Sequence, residues 1–393
     1  MMQKVRILQF ITPAGFYGAE RWVLALANNI DPETMLCDLA VSDEGPEQDL
    51  SVADYYPRSA GNVHRLKMNG RFDWKVVSRL EQVIRERSID VIHTHGYKSD
   101  ILGLIAARRT GIKCVSTPHG FSGNVGIKLA TFIRIGTMML RYFDAVAPLS
   151  EELMADMDRL KVPQKRLRFI RNGVDLKEID ATPRDEVANS VDPDAEKTRD
   201  ASHRTIGFIG QLIPRKGIPD LLNAFDSLYE SDPAIKLTLV GDGAQRAELE
   251  SFASGRSSGQ AVEFLGFRSD RLALLSTFDL FVMTSSLEGI PRCMMEAMAM
   301  GIPCVAYDIP GVDQLIEHRK TGLLVPLGDT QALKAACAEV LNNAKLAATL
   351  KTAARNKVKQ QYSAERMANE YLQLFRDLIG EQGKESGEVR GIG

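Results

Sequence analysis

Two carboxylates eight positions apart, Glu288 and Glu296, bracket the run Glu288-Gly-Ile-Pro-Arg-Cys-Met-Met-Glu296. A carboxylate accepts hydrogen bonds from two neighbouring hydroxyls, so one of the pair suits a sugar and the other a ribose. Gly289 and Pro291 punctuate the approach to a helix, where the missing N–H of Pro291 costs nothing in the first turn. The apolar run Met294 to Met300 reads as the buried body of that helix, with Gly301 as its C-terminal stop. Eight helical positions span about 12 Å, the scale of an extended nucleotide-sugar. Glutamates at this spacing also occur as solvated surface charge, so their setting decides between the two readings.

Three further segments have the residue types for anion or sugar chemistry. Gly210-Gln-Leu-Ile-Pro-Arg-Lys-Gly217 places Arg215 and Lys216 where charge-assisted hydrogen bonds would neutralise a diphosphate, although a solvated basic pair has the same sequence. Thr12 to Glu20 is rich in glycine and leads into a helix near Ala19. There Gly15 and Gly18 let backbone approach an anion at a helix N-terminus, and a tight strand-to-helix turn accounts for the same residues. His119 in Ser116-Thr-Pro-His-Gly120 is pushed outward by Pro118 and Gly120 at a strand end, whereas His93 and His95 flank another strand end where one of them can serve backbone groups. A lone histidine is usually structural; the strand-end position favours a functional His119. No paired acidic motif or Cys/His cluster is spaced for a metal, so neither a metal nor another cofactor is expected.

The elements that must position these residues alternate strand and helix. Strand-like runs are Val5–Ile11, Cys37–Val41, Val91–Thr94, Lys113–Thr117 and Ala145–Pro148, then Thr205–Ile209, Lys236–Val240, Val262–Leu265, Leu280–Met283, Pro303–Tyr307 and Leu323–Val325. Helical patterns between them include Glu20–Asn29, Trp74–Arg87, Asp100–Arg109, Glu151–Leu160 and Asp220–Leu228. Such alternation implies parallel sheets with right-handed crossovers, and ligands at the carboxyl ends of the strands. The 393 residues exceed one ordinary core. The expected organisation is an α/β chain of two Rossmann-like domains, 1–175 and 204–362. Residues 176–203 form a linker or surface insertion, 363–379 a final helix returning to the first domain, and 380–393 a disordered tail.

Hydrophobic content of 44% and charged content of 25% are those of a soluble globular protein, and the net charge of −2 gives no bias toward polyanions. No nucleic-acid partner is expected. Five cysteines without metal-ligand spacing, two of them (Cys114 and Cys304) in apolar strands, fit a reducing compartment. No signal-peptide pattern precedes Val5 and no apolar run reaches ~18 residues, which makes a cytoplasmic location the expectation. Residues 101–143 nevertheless hold Arg108, Arg109, Lys113, Lys128, Arg134 and Arg141 and no acid, and Ile127 to Phe143 is strongly apolar. With Arg134 and Arg141 a heptad apart on one face, the segment fits peripheral contact with an anionic membrane or a phosphate-bearing acceptor. An ordinary packed helix is the other reading.

In order along the chain, Gly18-Ala-Glu20, Asn172-Gly-Val-Asp175, Gly210-Gln-Leu…Arg-Lys-Gly217, Leu239-Val-Gly-Asp-Gly243 and Glu288-x7-Glu296 followed by Ala297-Met-Ala-Met-Gly-Ile-Pro-Cys-Val-Ala306 are together distinctive. The set resembles the family-4 retaining glycosyltransferases of the GT-B fold, from the first loop to about Arg376. The resemblance implies two Rossmann-like domains with parallel sheets facing across a cleft, the first for the acceptor and the second for a nucleoside diphosphate sugar. It implies that Glu296 takes ribose hydroxyls and Glu288 sits beside the donor sugar, with main-chain contacts at Gly289, Ile290 and Pro291. Lys216, helped by Arg215 and Gly18, would hold the diphosphate; Gly266, Phe267 and Arg268 would reach the base through the main chain; His119 would lie at the reacting sugar. Two positions depart from the pattern: Gln211 stands where an arginine is usual, with Arg215 as its substitute, and Ile290 replaces a phenylalanine. The implied activity is metal-independent transfer of a hexosyl group, with retention, from a UDP- or GDP-sugar to a hydroxyl of a glycan or lipid-linked acceptor. The expected setting is cell-surface polysaccharide or lipopolysaccharide biosynthesis on the cytoplasmic face of the inner membrane. The alternatives are a non-catalytic nucleotide-sugar-binding protein and a phosphorylase or epimerase of the same fold.

Overall fold

The computed structural model describes residues 4–13, 15–70, 73–120, 127–182 and 203–388, and the side chains of all of these except 127–132 and 381–388. The chain divides into two compact units: residues up to Asp175 together with those from Ser363 onward, and Leu176–Tyr362.

The first unit is built on a six-stranded parallel sheet of β1 (Val5–Ile11), β2 (Met35–Asp43), β3 (Val63–Lys67), β4 (Val91–Thr94), β5 (Lys113–Ser116) and β6 (Ala145–Val146). Its order is β3-β2-β1-β4-β5-β6, so the chain reverses its winding direction between β1 and β4. Central strands are covered on both faces and therefore read as nearly continuous apolar runs, as Val5–Ile11 does. Strand β3, Val-His-Arg-Leu-Lys, lacks that signature because it is an edge strand with one buried residue, Leu66. It was not among the strands expected from the sequence. The helix expected from Asp100 begins earlier, at Tyr97, and ends at Thr110 with Gly111 in the left-handed conformation.

The second unit repeats the plan with β7 (Arg204–Ile209), β8 (Ile235–Val240), β9 (Val262–Gly266), β10 (Leu280–Met283), β11 (Cys304–Tyr307) and β12 (Leu323–Val325). The order β12-β11-β10-β7-β8-β9 puts its reversal between β7 and β10. In open α/β sheets that reversal opens a crevice at the carboxyl ends of the two strands.

Two expected boundaries are corrected. Residues 176–182 are not linker: Leu176–Asp180 is a short helix of the second unit, with Ile179 buried, Glu178 on Arg271 and Asp180 on Arg355. Residues 183–202 lie outside the described residues. The last helix runs Ala364–Glu388 and so takes in residues 380–388, expected as a tail. Met367, Tyr371, Phe375 and Leu378 from this helix join the core of the first unit, around Trp22, Val23 and Leu26 of helix Gly18–Asn29.

Candidate functional site

In the second unit, the loop after β7 is shaped to present one lysine. Pro214–Lys216 makes a single 3₁₀ turn, closed by Gly217 N–H on the Pro214 carbonyl. Gly217 has φ +60°, and a Cβ there would stand 2.2 Å from the Thr284 carbonyl oxygen just beyond β10, so only glycine fits. Thr284 Oγ1 donates to the Lys216 carbonyl at 3.0 Å and Ser286 N–H to the Arg215 carbonyl at 2.8 Å, which stitches the loop to the end of the neighbouring strand. Lys216 Nζ consequently forms a short ion pair with Glu288 Oε1, with Lys216 7% and Glu288 8% exposed. Arg215 is exposed; its guanidinium reaches the Leu287 carbonyl at 3.2 Å and lies 3.9 Å from Glu288.

Glu288 itself lies in the loop, since the helix is Arg292–Ala299 with Pro291 as its N-cap and Met300 as its C-cap. The 12 Å helical span therefore does not measure the separation of the two glutamates. Gly289 is exposed, Ile290 half-buried and Pro291 buried. The Gly289 carbonyl packs on Gly311, where an added Cβ would stand 1.8 Å from it. Gly301 follows the helix at φ +70°, as a left-handed stop.

Glu296, only 2% exposed, is gripped by two arginines that the sequence reading passed over. Arg271 Nη2 lies 2.9 Å from Oε1 and its Nε 3.3 Å from Oε2, while Arg292 Nε donates to Oε1 at 3.0 Å. Burial works against the charge of Arg271, but Glu296 and then Glu178 outweigh it and hold the guanidinium above its ordinary range. The i, i+4 spacing of Arg292 and Glu296 was visible in the sequence; the pairing with Arg271, from another helix, was not. Cys293, between these charges, has its thiol pushed up to about 12, chiefly by burial. The remaining expected residues of this unit sit at the same edge of the sheet. Gln211 is exposed after β7; the Gly266 carbonyl at the end of β9 accepts from Gly241 N–H at 2.8 Å; Phe267 is exposed; Arg268 makes a bidentate pair with Asp270 at 2.7 and 2.8 Å.

In the first unit the loop after β1 and the ends of β4 and β5 supply the other candidates. Gly18 is the first residue of its helix, capped by Tyr17, whose N–H donates to Glu20 at 3.0 Å. Nothing lies within 4 Å of where a Cβ on Gly18 would stand, so packing does not demand glycine there. His119 is half-buried and belongs to a ring cluster rather than standing alone. His95 Nδ1 lies 3.1 Å from His119 Nε2, and Trp22 packs its edge or face within 5.6 Å of His93, His95 and His119. His93 Nε2 meets Thr117 Oγ1 at 2.7 Å, and Thr117 meets the Tyr371 hydroxyl at 2.7 Å. Burial, then neighbouring imidazoles, holds His93 and His95 well below the usual histidine range.

Three basic side chains of the segment 101–143 meet acids that lie outside it. Arg109 reaches Glu81 at 3.3 Å, Lys113 lies 3.9 Å from Asp144, and Arg108 meets Asp144 and the Tyr142 carbonyl. Arg141 and Arg134 do not share a face: Arg141 sits in the 3₁₀ turn Leu140–Tyr142 and donates inward to the Leu160 carbonyl at 2.6 Å. Arg134, Ile135, Met138 and Tyr142 are exposed. The side chain of Lys128 lies outside the described residues. No helix among the described residues is long and apolar enough to cross a membrane.

Two family models match the chain in succession: glycosyltransferase family 4 over residues 16–178 and glycosyl transferases group 1 over residues 193–357. At 25% identity over 380 residues, 92% of this chain and 94% of the relative, it is similar to a UDP-Gal:alpha-D-GlcNAc-diphosphoundecaprenol alpha-1,3-galactosyltransferase of Escherichia coli. It is also 25% identical, over 83% of its length and 84% of the relative's, to an N-acetyl-alpha-D-glucosaminyl L-malate synthase of Bacillus anthracis. Among solved structures, Anabaena HepE in complex with UDP and glucose superposes with a TM-score of 0.78 at 21% identity, over 95% of this chain and 100% of that one. Sucrose-phosphate synthase from Thermosynechococcus elongatus superposes with a TM-score of 0.74, also at 21% identity, over 96% and 100%. At such identities the structural likeness speaks for the fold.

Proposed function

The chain belongs to the group 1 and family-4 glycosyltransferases of GT-B fold, and from that premise we propose that it moves a hexosyl group from a UDP- or GDP-sugar to a glycan or lipid-linked hydroxyl, with retention and without metal. The second unit takes the donor. The observation that carries this reading is the buried Lys216–Glu288 pair at the β7/β10 reversal, the edge where an α/β sheet receives its ligand. Lys216 and, from its exposed position, Arg215 meet the charge of the departing diphosphate, while Glu288 and the Gly289–Pro291 backbone serve the sugar. Glu296, aimed by Arg271 and Arg292, accepts from the ribose hydroxyls, with Gly266 to Arg268 serving the base.

The bond from the anomeric carbon to the phosphate oxygen breaks, and a bond from that carbon to the acceptor oxygen forms on the same face. The acceptor's proton leaves on the phosphate oxygen. No protein carboxylate has to act as nucleophile; the protein's contribution is preorganised positive charge where negative charge develops. The first unit takes the acceptor, with Gly18 at a helix N-terminus and His119 as partner for a sugar hydroxyl.

Similarity to a GlcNAc-diphosphoundecaprenol galactosyltransferase and to glycosyltransferases named for colanic acid and lipopolysaccharide core biosynthesis supports a role in polysaccharide or lipopolysaccharide assembly. The exposed Arg134, Ile135, Met138 and Tyr142 support peripheral contact with an anionic bilayer at the cytoplasmic face. Sedimentation with anionic and with neutral vesicles checks this: the protein is expected with the anionic ones only, and Arg134→Glu with Met138→Glu is expected to release it.

The direct test of the donor reading is thermal shift against UDP, GDP, ADP and their sugars in chelator-treated buffer. One nucleotide at ~100 times its dissociation constant is expected to stabilise by ~2.7 kcal/mol. Glu296→Ala is expected to weaken that nucleotide's binding, and Lys216→Ala to lower turnover about 100-fold. A folded sample with no shift for any nucleotide sinks the donor site and leaves the non-catalytic reading.

A further inference from the structure

Away from the winding reversal, the first sheet ends in β2 and its edge strand β3, and the segments that follow these strands enclose a groove of about 570 Å³. That volume suits a small ligand, and the groove lies at the carboxyl edge of the sheet, where an open α/β fold receives ligands. Gln48 fastens its rim. The Gln48 Oε1 accepts from Glu44 N–H at 2.7 Å, and its Nε2 donates at 2.7 Å to the carbonyl of Pro13, in the loop after β1 that leads to Gly18.

The lining mixes donors and acceptors and carries little net charge. Asp43, Glu44 and Asp54 stand against Arg65 and Lys67, and Glu44 is also paired with Lys98 at 2.5 Å. Asp54 and Arg65 pair with each other at 2.5 Å while both remain exposed. The Lys67 ammonium and the Asn69 side-chain amide line the groove without a protein partner among the described residues. Three carboxylates repel a strongly anionic ligand, and two bases repel a cation. A neutral molecule dense in hydroxyl groups satisfies both sets, because each hydroxyl gives one hydrogen bond and accepts two.

The neighbouring wall is aromatic. Tyr55, next to Asp54 in the chain, is 64% exposed, and Tyr17 is 54% exposed. Phe16 holds the Tyr55 ring at 5.7 Å between centroids, and the Arg21 guanidinium lies 5.4 Å from the Phe16 ring. Phe16 also packs on the core of the first unit, so Tyr55 is backed by a fixed ring and bare on its outer side. The face of an aromatic ring is electron-rich and attracts polarised C–H groups. A pyranose presents such a face of C–H groups, with its hydroxyls around the rim.

We propose that this groove, with Tyr55 as its stacking wall, binds a neutral oligosaccharide, the part of the acceptor that lies beyond its reacting sugar. Strand β3 stands two strand spacings from β1, about 10 Å, which is more than one pyranose ring spans. A glycan reaching from the crevice beside β1 to the groove therefore has at least two sugars. The inference rests on the proposed function for the reacting end of that glycan, but the groove binds without donor.

Full-length protein on a glycan array, read without nucleotide, tests it. Neutral oligosaccharides are expected to retain the protein and monosaccharides to retain it far less. A retained neutral oligosaccharide is then the probe in titration calorimetry. Tyr55→Ala is expected to weaken its binding about tenfold, the loss of one stacked ring, whereas Tyr55→Trp keeps the affinity. Lys67→Met is expected to weaken it about fivefold through a lost hydrogen bond. Because Tyr55 and Lys67 are exposed, these variants are expected to keep the wild-type urea midpoint. No retained glycan, retention confined to anionic glycans, equal retention of monosaccharides, or equal affinity of Tyr55→Ala and wild type overturns the inference. Should no nucleotide stabilise the protein, glycan binding that depends on Tyr55 still upholds the groove, and only the transfer reaction falls.

Discussion

At the scale of single residues, the Lys216–Glu288 pair has two jobs whose costs can be separated. Removing one member of a buried ion pair leaves the other charged and unpaired, at a typical cost of 3–5 kcal/mol. Lys216→Ala should therefore lose stability as well as turnover, and the loss of turnover alone would not identify a role in chemistry. Adding Glu288→Gln removes the orphaned charge. The double variant is expected to regain most of the denaturation midpoint while staying at least as inactive as the single one; recovery of both together would make Lys216 a structural residue. Lys216 and Glu288 could be picked from sequence because glycine and proline mark their loops. Arg271 could not: its link to Glu296 joins residues 25 apart through packing between helices, and nothing in local spacing reports it. Gln9 and His93 left a fainter trace, as buried polar residues within mostly apolar strands.

At the scale of elements, the helix after β4 is tied to two strand ends of the first sheet by a buried titrating group that helix and strand patterns do not reveal. Asp100, in helix Tyr97–Thr110, accepts from Thr94 at 2.5 Å and from Ser116 at 2.8 Å, tying the helix to β4 and β5. Burial outweighs those bonds and pushes its carboxyl up from 3.8 to about 7. Between about pH 4 and pH 7 the folded chain thus keeps a proton that the unfolded chain has released, so this group's contribution to stability falls as pH rises through that window and is constant above it. Asp100→Asn keeps the accepting oxygen and cannot ionise. Relative to wild type it is expected to be neutral near pH 4 and stabilising at pH 8, by on the order of a few kcal/mol in urea unfolding. A constant difference at both pH values would contradict the shifted carboxyl. The elements themselves were legible where both faces are buried, and failed at β3, an edge strand, and at residues 176–182, where a short helix is held by ion pairs and one buried isoleucine rather than by a periodic apolar face.

At the scale of the whole molecule, the first unit is discontinuous in sequence. The Tyr371 hydroxyl meets Thr117 across 254 residues, and Met367, Phe375 and Leu378 fill the core beside Trp22. A chain ending at Tyr362 is expected to keep a cooperatively folded second unit. Its first unit is expected to bind an apolar dye and to lose amide protection in helix Gly18–Asn29 on hydrogen exchange. Unaltered protection there would mean that the first unit is complete without its last helix. The repeated alternation of strand and helix announced two sheets, with the stretch after Asp175 expected to separate them. That the final helix completes the first core is a tertiary fact, since an amphipathic pattern says that a helix packs but not on what.

The same discontinuity orders events on the ribosome. Residues 1–175 emerge before the second unit, yet the side chains that close their core come from beyond residue 363, after the whole second unit has been made. At translation speeds of roughly 5–20 residues per second, the apolar patch around Trp22 waits on the order of 10 s or more for its cover. The unit begun before the other is finished after it, and through that interval it is the natural client of whatever shields nascent chains from aggregation.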